Sequence, residues 1–280
     1  MLGTAAGSVG DVTLMRRMGK QVSRLRVREV ANPKTYGQAR QRCYMAPIPK
    51  FYAPLAIALE KSWEGKNKSE SYSAFLKKNA QLARANNWTL PKGTGFYPLP
   101  YRVSNGTLPS VNAIWAIEMG EKCFKLSGNF NTNGDNTWGA VSQRFIANYG
   151  LQDGDQLTFL AIIKVDDGIF IPKYARVYLD ITSTENFQTY FRAVGFNIIN
   201  LGSQFAVIVP LVDSNNMVAC SVIASRWENN QWRRSIESMS CAPEILAAIN
   251  PVDDGAANIG TYMTSSDANP SDVYLNGSAE

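Results

Sequence analysis

Hydrophobic residues recur at helical spacing in the first third of the chain, and in alternation over segments of the second half such as 111–119 and 174–181. A period of 3.6 marks a helix with one buried face, and a period of two marks a half-buried strand. Asn32-Pro33 reads as a helix start, with asparagine as N-cap and proline in the first turn. That helix is predicted to run to about Ala46, where Pro47 and Pro49 stop it. Phe51, Leu55, Ala58, Leu59 and Trp63 form a second stripe that ends at Gly65. Tyr72, Phe75, Leu76, Asn79 and Leu82 form a third within residues 69–86. Aromatic stripes of this kind read as core.

Pro91, Gly93, Gly95, Pro98, Pro100, Gly106 and Pro109 then mark an irregular connection. Beyond it strands are predicted over residues 111–119, 157–165, 169–171, 174–181, 196–212 with a break near Gly202, 217–227 and 231–239. One helix interrupts them, capped by Thr137 and closed by Gly150, with Val141, Phe145 and Tyr149 facing inward. Short strands joined by tight turns predict an antiparallel meander, hence a sandwich or a barrel. At the N-terminus, residues 12–15 and 21–30 read as a hairpin whose turn covers 16–20; Leu25 and Val27 lie on one face of the second strand, and Arg24, Arg26 and Arg28 on the other.

The fold class predicted is α+β: a basic N-terminal hairpin, a short helical segment, then a mainly antiparallel β sandwich or barrel. The corresponding segments are a basic arm over 1–30, helices over 31–95, a β-rich domain over 96–240 and an acidic, partly flexible tail over 241–280.

Of the 280 residues 45% are hydrophobic and 18% charged, an ordinary globular balance that supplies a core. No run approaches the ~18 apolar residues of a membrane helix, the longest being broken by Pro210, and no signal-peptide pattern opens the chain. The expectation is a cytoplasmic protein, or a virion protein if phage-encoded, with no membrane partner. The four cysteines, Cys43, Cys123, Cys220 and Cys241, form no C-x-x-C pair and read as small buried hydrophobes.

The sequence contains no histidine. This excludes Ser-His-Asp and Cys-His catalysis and histidine-ligated zinc, leaving only carboxylate- or lysine-based chemistry for an enzyme. The carboxylate pairs Asp153/Asp155, Asp166/Asp167 and Asp253/Asp254 flank glycines or sit at turns, which accounts for them without catalysis. The loop over 129–136 is rich in oxygen ligands but lacks the spaced acids and final glutamate of an EF-hand. Gly93-x-Gly95 lacks the Lys-Ser/Thr ending of a phosphate loop. The chain is therefore expected to be no enzyme and to hold no cofactor and no metal.

Charge changes the picture more than composition does. Residues 16–42 hold Arg16, Arg17, Lys20, Arg24, Arg26, Arg28, Lys34, Arg40 and Arg42 against Glu29 alone, a local charge of +8 in a chain of net +5. After Arg234 there is no lysine or arginine, only Glu237, Glu244, Asp253, Asp254, Asp267, Asp272 and Glu280 among the charged residues. Such asymmetry points to nucleic acid or an acidic protein partner, or to pairing between the chain's own two ends. A secondary cluster, Arg226, Trp227, Trp232, Arg233 and Arg234, surrounds one turn. It reads either as a stacking platform for single-stranded nucleic acid or as a hairpin whose tryptophans cover the core edge with arginines stacked on them.

Gly7-Ser8-Val9-Gly10-Asp11-Val12, Gly19-Lys20-Gln21-Val22 followed by Arg24, Asn32-Pro33-Lys34-Thr35, Gln38 and Arg42 follow one another at characteristic spacing, and Phe51-Tyr52-Ala53-Pro54-Leu55 and Ser104-Asn105-Gly106-Thr107-Leu108 extend the pattern. Over residues 7–110 this resembles an uncharacterised protein family of Bacteroidota and their phages. The resemblance implies a source and a shared N-terminal module, with no catalytic residue to carry over. Two functions are expected. The first is a structural or assembly protein, a phage virion component that self-associates or joins other structural proteins. The alternative is a free nucleic-acid-binding protein without a particle role.

Overall fold

A computed structural model describes residues 7–9, 12–17, 20–25, 35–60, 62–249 and 255–263. The chain divides into two compact units. The smaller holds three antiparallel strands, β1 (Gly7–Val9), β2 (Val12–Arg17) and β3 (Lys20–Leu25), in the order β1-β2-β3. The predicted hairpin is present, but its turn is narrower than residues 16–20: Arg16 faces Gln21 and Arg17 faces Lys20 within the ladder. β1 gave no alternation signal because three residues are too few to alternate. The rest of the return strand, with Arg26 and Arg28, and the helix start at Asn32-Pro33 lie outside the described residues.

The larger unit spans Tyr36–Ser265. It opens with α1 (Tyr36–Met45) and α2 (Pro47–Leu55). Pro47 and Pro49 do not merely stop a helix; they occupy the first turn of α2, where a missing N–H leaves no bond unmade. Pro54 removes a donor near the helix end, and α2 stops at Leu55, so Ala58 and Leu59 are buried from a turn, and Trp63 from a single bridge to Asn105, rather than from the predicted helix. α3 (Lys68–Ala85) starts with a capping box: Glu70 N–H donates to Asn67 Oδ1 at 2.9 Å, and Asn67 N–H to Glu70 Oε2 at 3.1 Å. Its buried line, Ser71, Phe75, Asn79 and Ala83, is rotated from the predicted stripe.

The β body follows: β4 (Arg102–Ser104), β5 (Ile114–Glu118), β6 (Glu121–Ser127), α4 (Trp138–Tyr149), β7 (Gln156–Asp166), β8 (Ile169–Tyr178), α5 (Phe187–Ala193), β9 (Phe196–Leu201), β10 (Phe205–Pro210), β11 (Met217–Glu228), β12 (Gln231–Arg234), β13 (Glu237–Ser238), β14 (Ser240–Cys241), and two helices, α6 (Pro243–Ile249) and α7 (Ala256–Met263). One sheet has the order β5-β6-β10-β9. The other runs β12-β11-β7-β8, with β14 also pairing β11, and β13 pairs β4. Among the described residues every pairing between these strands is antiparallel and neither sheet closes into a barrel; isolated parallel bridges join Trp63 to Asn105 and Leu108 to Ser235. The α+β class and the sandwich hold.

Phe124, Leu126, Ile198 and Ile208 of the first sheet meet Phe159, Ala161, Val222 and Ala224 of the second, with Trp138, Phe145 and Phe191 from α4 and α5 among them. Phe124 packs edge-on against Phe159, ring centres 5.7 Å apart. The second sheet is covered on its other face too, where Leu160, Ile162, Val218 and Ile223 meet Phe51, Leu55, Phe75 and Tyr101. The body thus has three layers, helices on sheet on sheet. Burial on both faces explains why β7 is apolar almost without interruption from Leu157 to Ile163. Asn79 joins the layers: its amide N–H groups donate to Phe75 O and Arg102 O at 3.1 and 3.0 Å, while its oxygen accepts from Arg102 N at 2.8 Å.

Several predicted strands shift. Residues 169–171 and the predicted strand from 174 join into one strand, β8, through Pro172, and it ends at Tyr178 rather than at 181; β8 is an edge, where a proline needs no ladder donor on its free side. Residues 231–239 split into β12 and β13. Residues 111–119 shorten to β5, because Asn112 and Met119 take positive φ, with Met119 and Gly120 making the hairpin turn. α5 had no stripe to announce it; its signal is the cap, Asn186 accepting from Gln188 N at 2.9 Å and Thr189 N at 3.3 Å. α4 matches its prediction at both ends, with Thr137 accepting from Ala140 N and Gly150 left-handed at φ 63°. α6 buries Ile245 and Ile249, and Ile259 of α7 packs with Ala39 and Cys43 of α1. Cys43, Cys123 and Cys220 are buried and Cys241 is half-buried; all four are free thiols. Among the described residues no helix is long and apolar enough to cross a membrane.

Candidate functional site

Six of the nine basic residues of the N-terminal region are described, four in the smaller unit and two in the larger. Arg16, Arg17, Lys20 and Arg24 belong to β2 and β3 of the smaller unit, where Arg17 stands opposite Lys20 and the exposed Arg24 opposite Thr13. Arg26, Arg28 and Lys34 lie outside the described residues. Arg40 and Arg42 sit on α1 of the larger unit. Arg40 donates to the Tyr44 hydroxyl at 2.9 Å, and that hydroxyl donates in turn to Asn87 Oδ1 at 2.6 Å. Helical periodicity, not charge, decides where these two go.

The secondary cluster does form one object, the β11–β12 hairpin. Asn229 and Asn230 turn it with φ of 52° and 58°, the left-handed pair of a type I′ turn. Trp227 and Trp232 face each other across the ladder with ring centres 5.3 Å apart. The three arginines are engaged within the fold. Arg226 grips the carboxylate of Asp155 through Nε at 2.8 Å and Nη2 at 2.7 Å, and Asp155 is 1% exposed. Arg233 donates to Glu64 Oε1 and to Thr107 Oγ1, both at 2.9 Å, and pairs with Glu228 at 3.5 Å. The buried Arg234 stacks on Trp232, 4.5 Å from the ring centre; burial pushes its pKa down to about 10, helped by Arg176 and opposed by Glu64. The sequence offered the stacking of arginine on tryptophan but neither carboxylate partner, since Glu64 and Asp155 lie 169 and 71 residues from the arginines they hold.

Glu64 is the hub under this hairpin. It accepts from Thr107 N at 2.8 Å, from the Thr107 hydroxyl, from Arg233 and from Arg234 N at 3.3 Å. The segment Ser104 to Leu108 is threaded between Glu64 and the chain leaving β12. Asn105 N donates to Ser62 O, Glu64 N to Asn105 O, Leu108 N to Arg234 O, and the Ser104 hydroxyl to Ser235 O. Glu237 lies beside it, accepting from Val111 N at 2.7 Å and from the Ser110 hydroxyl at 3.0 Å.

These two glutamates respond oppositely to pH. Burial raises the pKa of Glu64, but the hydrogen bonds from Arg233, Thr107 and Arg234 outweigh it and hold the group below its ordinary 4.5. Burial dominates at Glu237 and lifts it above that value, against bonds from Val111, Ser235, Ser110 and Asn112. A depressed folded pKa gives stability that is present above the unfolded pKa and lost as pH falls through the folded one; a raised pKa gives the reverse. Glu64→Gln is therefore expected to destabilise the protein at pH 7, with the gap from wild type closing as pH falls below about 4. Glu237→Gln should cost little at pH 7. Urea midpoints for the three proteins from pH 7 to pH 3.5 measure both; a Glu64→Gln gap independent of pH would contradict the assignment.

The other candidate groups serve the backbone. Asp153 accepts from Ile181 N at 2.9 Å, Asp166 from Asp167 N at 2.7 Å, and Asp167 pairs with Lys164 at 2.6 Å. In the loop over 129–136, Asn129, Asn131 and Asp135 each accept from the N–H two residues on. Asp253 and Asp254 lie outside the described residues.

No family model, no curated protein and no solved structure matches this chain. Function therefore rests on geometry and charge.

Proposed function

We propose that this chain is a non-enzymatic structural or assembly protein, a component of a phage particle on the account the N-terminal resemblance gives, whose basic N-terminal region contacts nucleic acid or another acidic partner. One observation carries the reading. Residues 16–42 hold nine basic residues against Glu29 alone, and four of them, Arg16, Arg17, Lys20 and Arg24, fall on the β2–β3 strand pair. So dense a run of one charge repels itself. A bound polyanion reverses that sign, and arginine forks suit phosphate oxygens. A local rule broken at a charged hairpin fits a binding role better than a packing role.

The test is a titration of the protein against labelled single- and double-stranded DNA and RNA across a salt series. Binding is expected to fall steeply with salt, with a log–log slope of about 0.9 per duplex phosphate neutralised. Replacing Arg24, Arg26 and Arg28 with serine should remove binding and leave the circular dichroism spectrum and Tm unchanged; unchanged affinity in that variant sinks the reading. Sedimentation separates the two roles: closed symmetric self-association supports assembly, and a salt-sensitive binder that stays monomeric or dimeric supports the free nucleic-acid-binding alternative.

A further inference from the structure

The β11–β12 hairpin and the turn after Trp63 enclose an open cleft of about 280 Å³. Its apolar surface comes from three tryptophans, Trp63, Trp227 and Trp232, and its polar surface from Lys66, Asn230 and Gln231. Trp63 is 4% exposed, and its indole N–H is buried with no acceptor among the described residues. Trp227 is 57% exposed and stands edge-on to Trp232. The Arg234 guanidinium covers one face of Trp232 and fixes that ring's plane. The exposed Trp227 and the half-buried Trp232, floored by the buried Trp63 and joined by two side-chain amides and an amine, make a concave surface with apolar faces and convergent polar groups.

The charges decide what it recognises. A phosphate backbone needs several available cations, but Arg226 is held by Asp155 and Arg233 by Glu64 and Glu228. With Arg234 and the lining Lys66 counted, the site carries an excess of one positive charge, too little to grip a polyanion. The partner that fits is neutral, flat and apolar on its faces, and rich in hydroxyls at its edge. We infer that this cleft binds a neutral saccharide, a β-linked glucose or N-acetylglucosamine chain whose pyranose C–H faces lie on Trp227 and Trp232 and whose hydroxyls meet Asn230, Gln231 and Lys66. The volume, near the lower limit for small-molecule sites, suits about one or two rings. The cleft lies wholly in the larger unit, so its test is independent of the basic hairpin.

Intrinsic tryptophan fluorescence and calorimetry with cellohexaose, chitohexaose and a ten-residue deoxythymidine oligonucleotide test the inference on the full chain. One of the two oligosaccharides is expected to bind and shift the emission, with an affinity that does not change between 50 and 500 mM salt, since a neutral ligand has no counterions to release. Trp227→Ala should weaken that binding by about thirtyfold, the effect of losing one aromatic anchor, and keep its Tm because the ring is largely exposed. Gln231→Ala, also exposed, should weaken it less. Binding of neither oligosaccharide overturns the inference, as does binding that falls steeply with salt, that the oligonucleotide alone produces, or that survives Trp227→Ala.

Discussion

Replacing Gly106 with alanine is expected to destabilise the larger unit by about 3 kcal/mol. A Cβ at this position would lie 2.2 Å from the carbonyl oxygen of Arg234 and 2.6 Å from Glu64 Oε2. The first is backbone of the strand that leaves β12, and the second is the carboxylate that holds Thr107, Arg233 and Arg234 N. Neither can withdraw cheaply. Relief requires moving residues 104–108 outward, which breaks the bonds of Asn105 to Ser62 and Glu64 and of Leu108 to Arg234. For a unit of this size the loss corresponds to a fall of roughly 6–12 °C in Tm. Gly95→Ala is the control, because a Cβ there meets nothing within 4 Å. Calorimetry on the two variants decides the matter: equal Tm values would show that the 104–108 segment is not wedged.

The second large effect is expected at Asp155. Alanine there should cost about 3–5 kcal/mol, the range for removing one member of a buried ion pair. The aspartate is 1% exposed and accepts from Arg226 Nε and Nη2 and from Gln152 N at 2.7 Å. Its loss strands a guanidinium that is only 16% exposed and frees the turn that brings the chain into β7. Arg226→Met alone strands the carboxylate instead. The double variant Asp155→Ala with Arg226→Met should recover much of the loss, because no charge is then buried alone. Urea unfolding of the four proteins gives the coupling directly. Additive losses would mean that the two groups act separately and that solvent screens them.

Much of this architecture was written locally. Thr137 and Gly150 bound α4 because each acts on its own neighbours, one by accepting from Ala140 N, the other by adopting φ 63° without a Cβ. The Asn229-Asn230 turn and the unbroken apolar run of β7 worked in the same way. The failures also have local causes. Pro47 does end the first helix, but the sequence did not show that it also opens α2, because the first turn of a helix is a place where its missing donor costs nothing; the strand break drawn near residues 172–173 failed because Pro172 lies on the free edge of a sheet. Which of these applies depends on neighbours that the sequence does not order.

The candidate sites divide along the same line. The segregation of charge, +8 in residues 16–42, is a property of composition and needs no structure. So is the absence of histidine, which removes whole classes of chemistry. The fate of the second cluster is different. Arg226, Trp227, Trp232, Arg233 and Arg234 are adjacent in sequence and offered two readings, and only the fold chose between arginines open to a ligand and arginines already held. Glu64 reaches Arg233 across 169 residues and Asp155 reaches Arg226 across 71. Trp63 joins the two hairpin tryptophans from the far side of the same junction. Periodicity, caps and turns act within a few residues and are legible in a single chain. Ion pairing and cleft formation join segments whose separation along the chain carries no information about their distance in space, and those the tertiary structure alone decided.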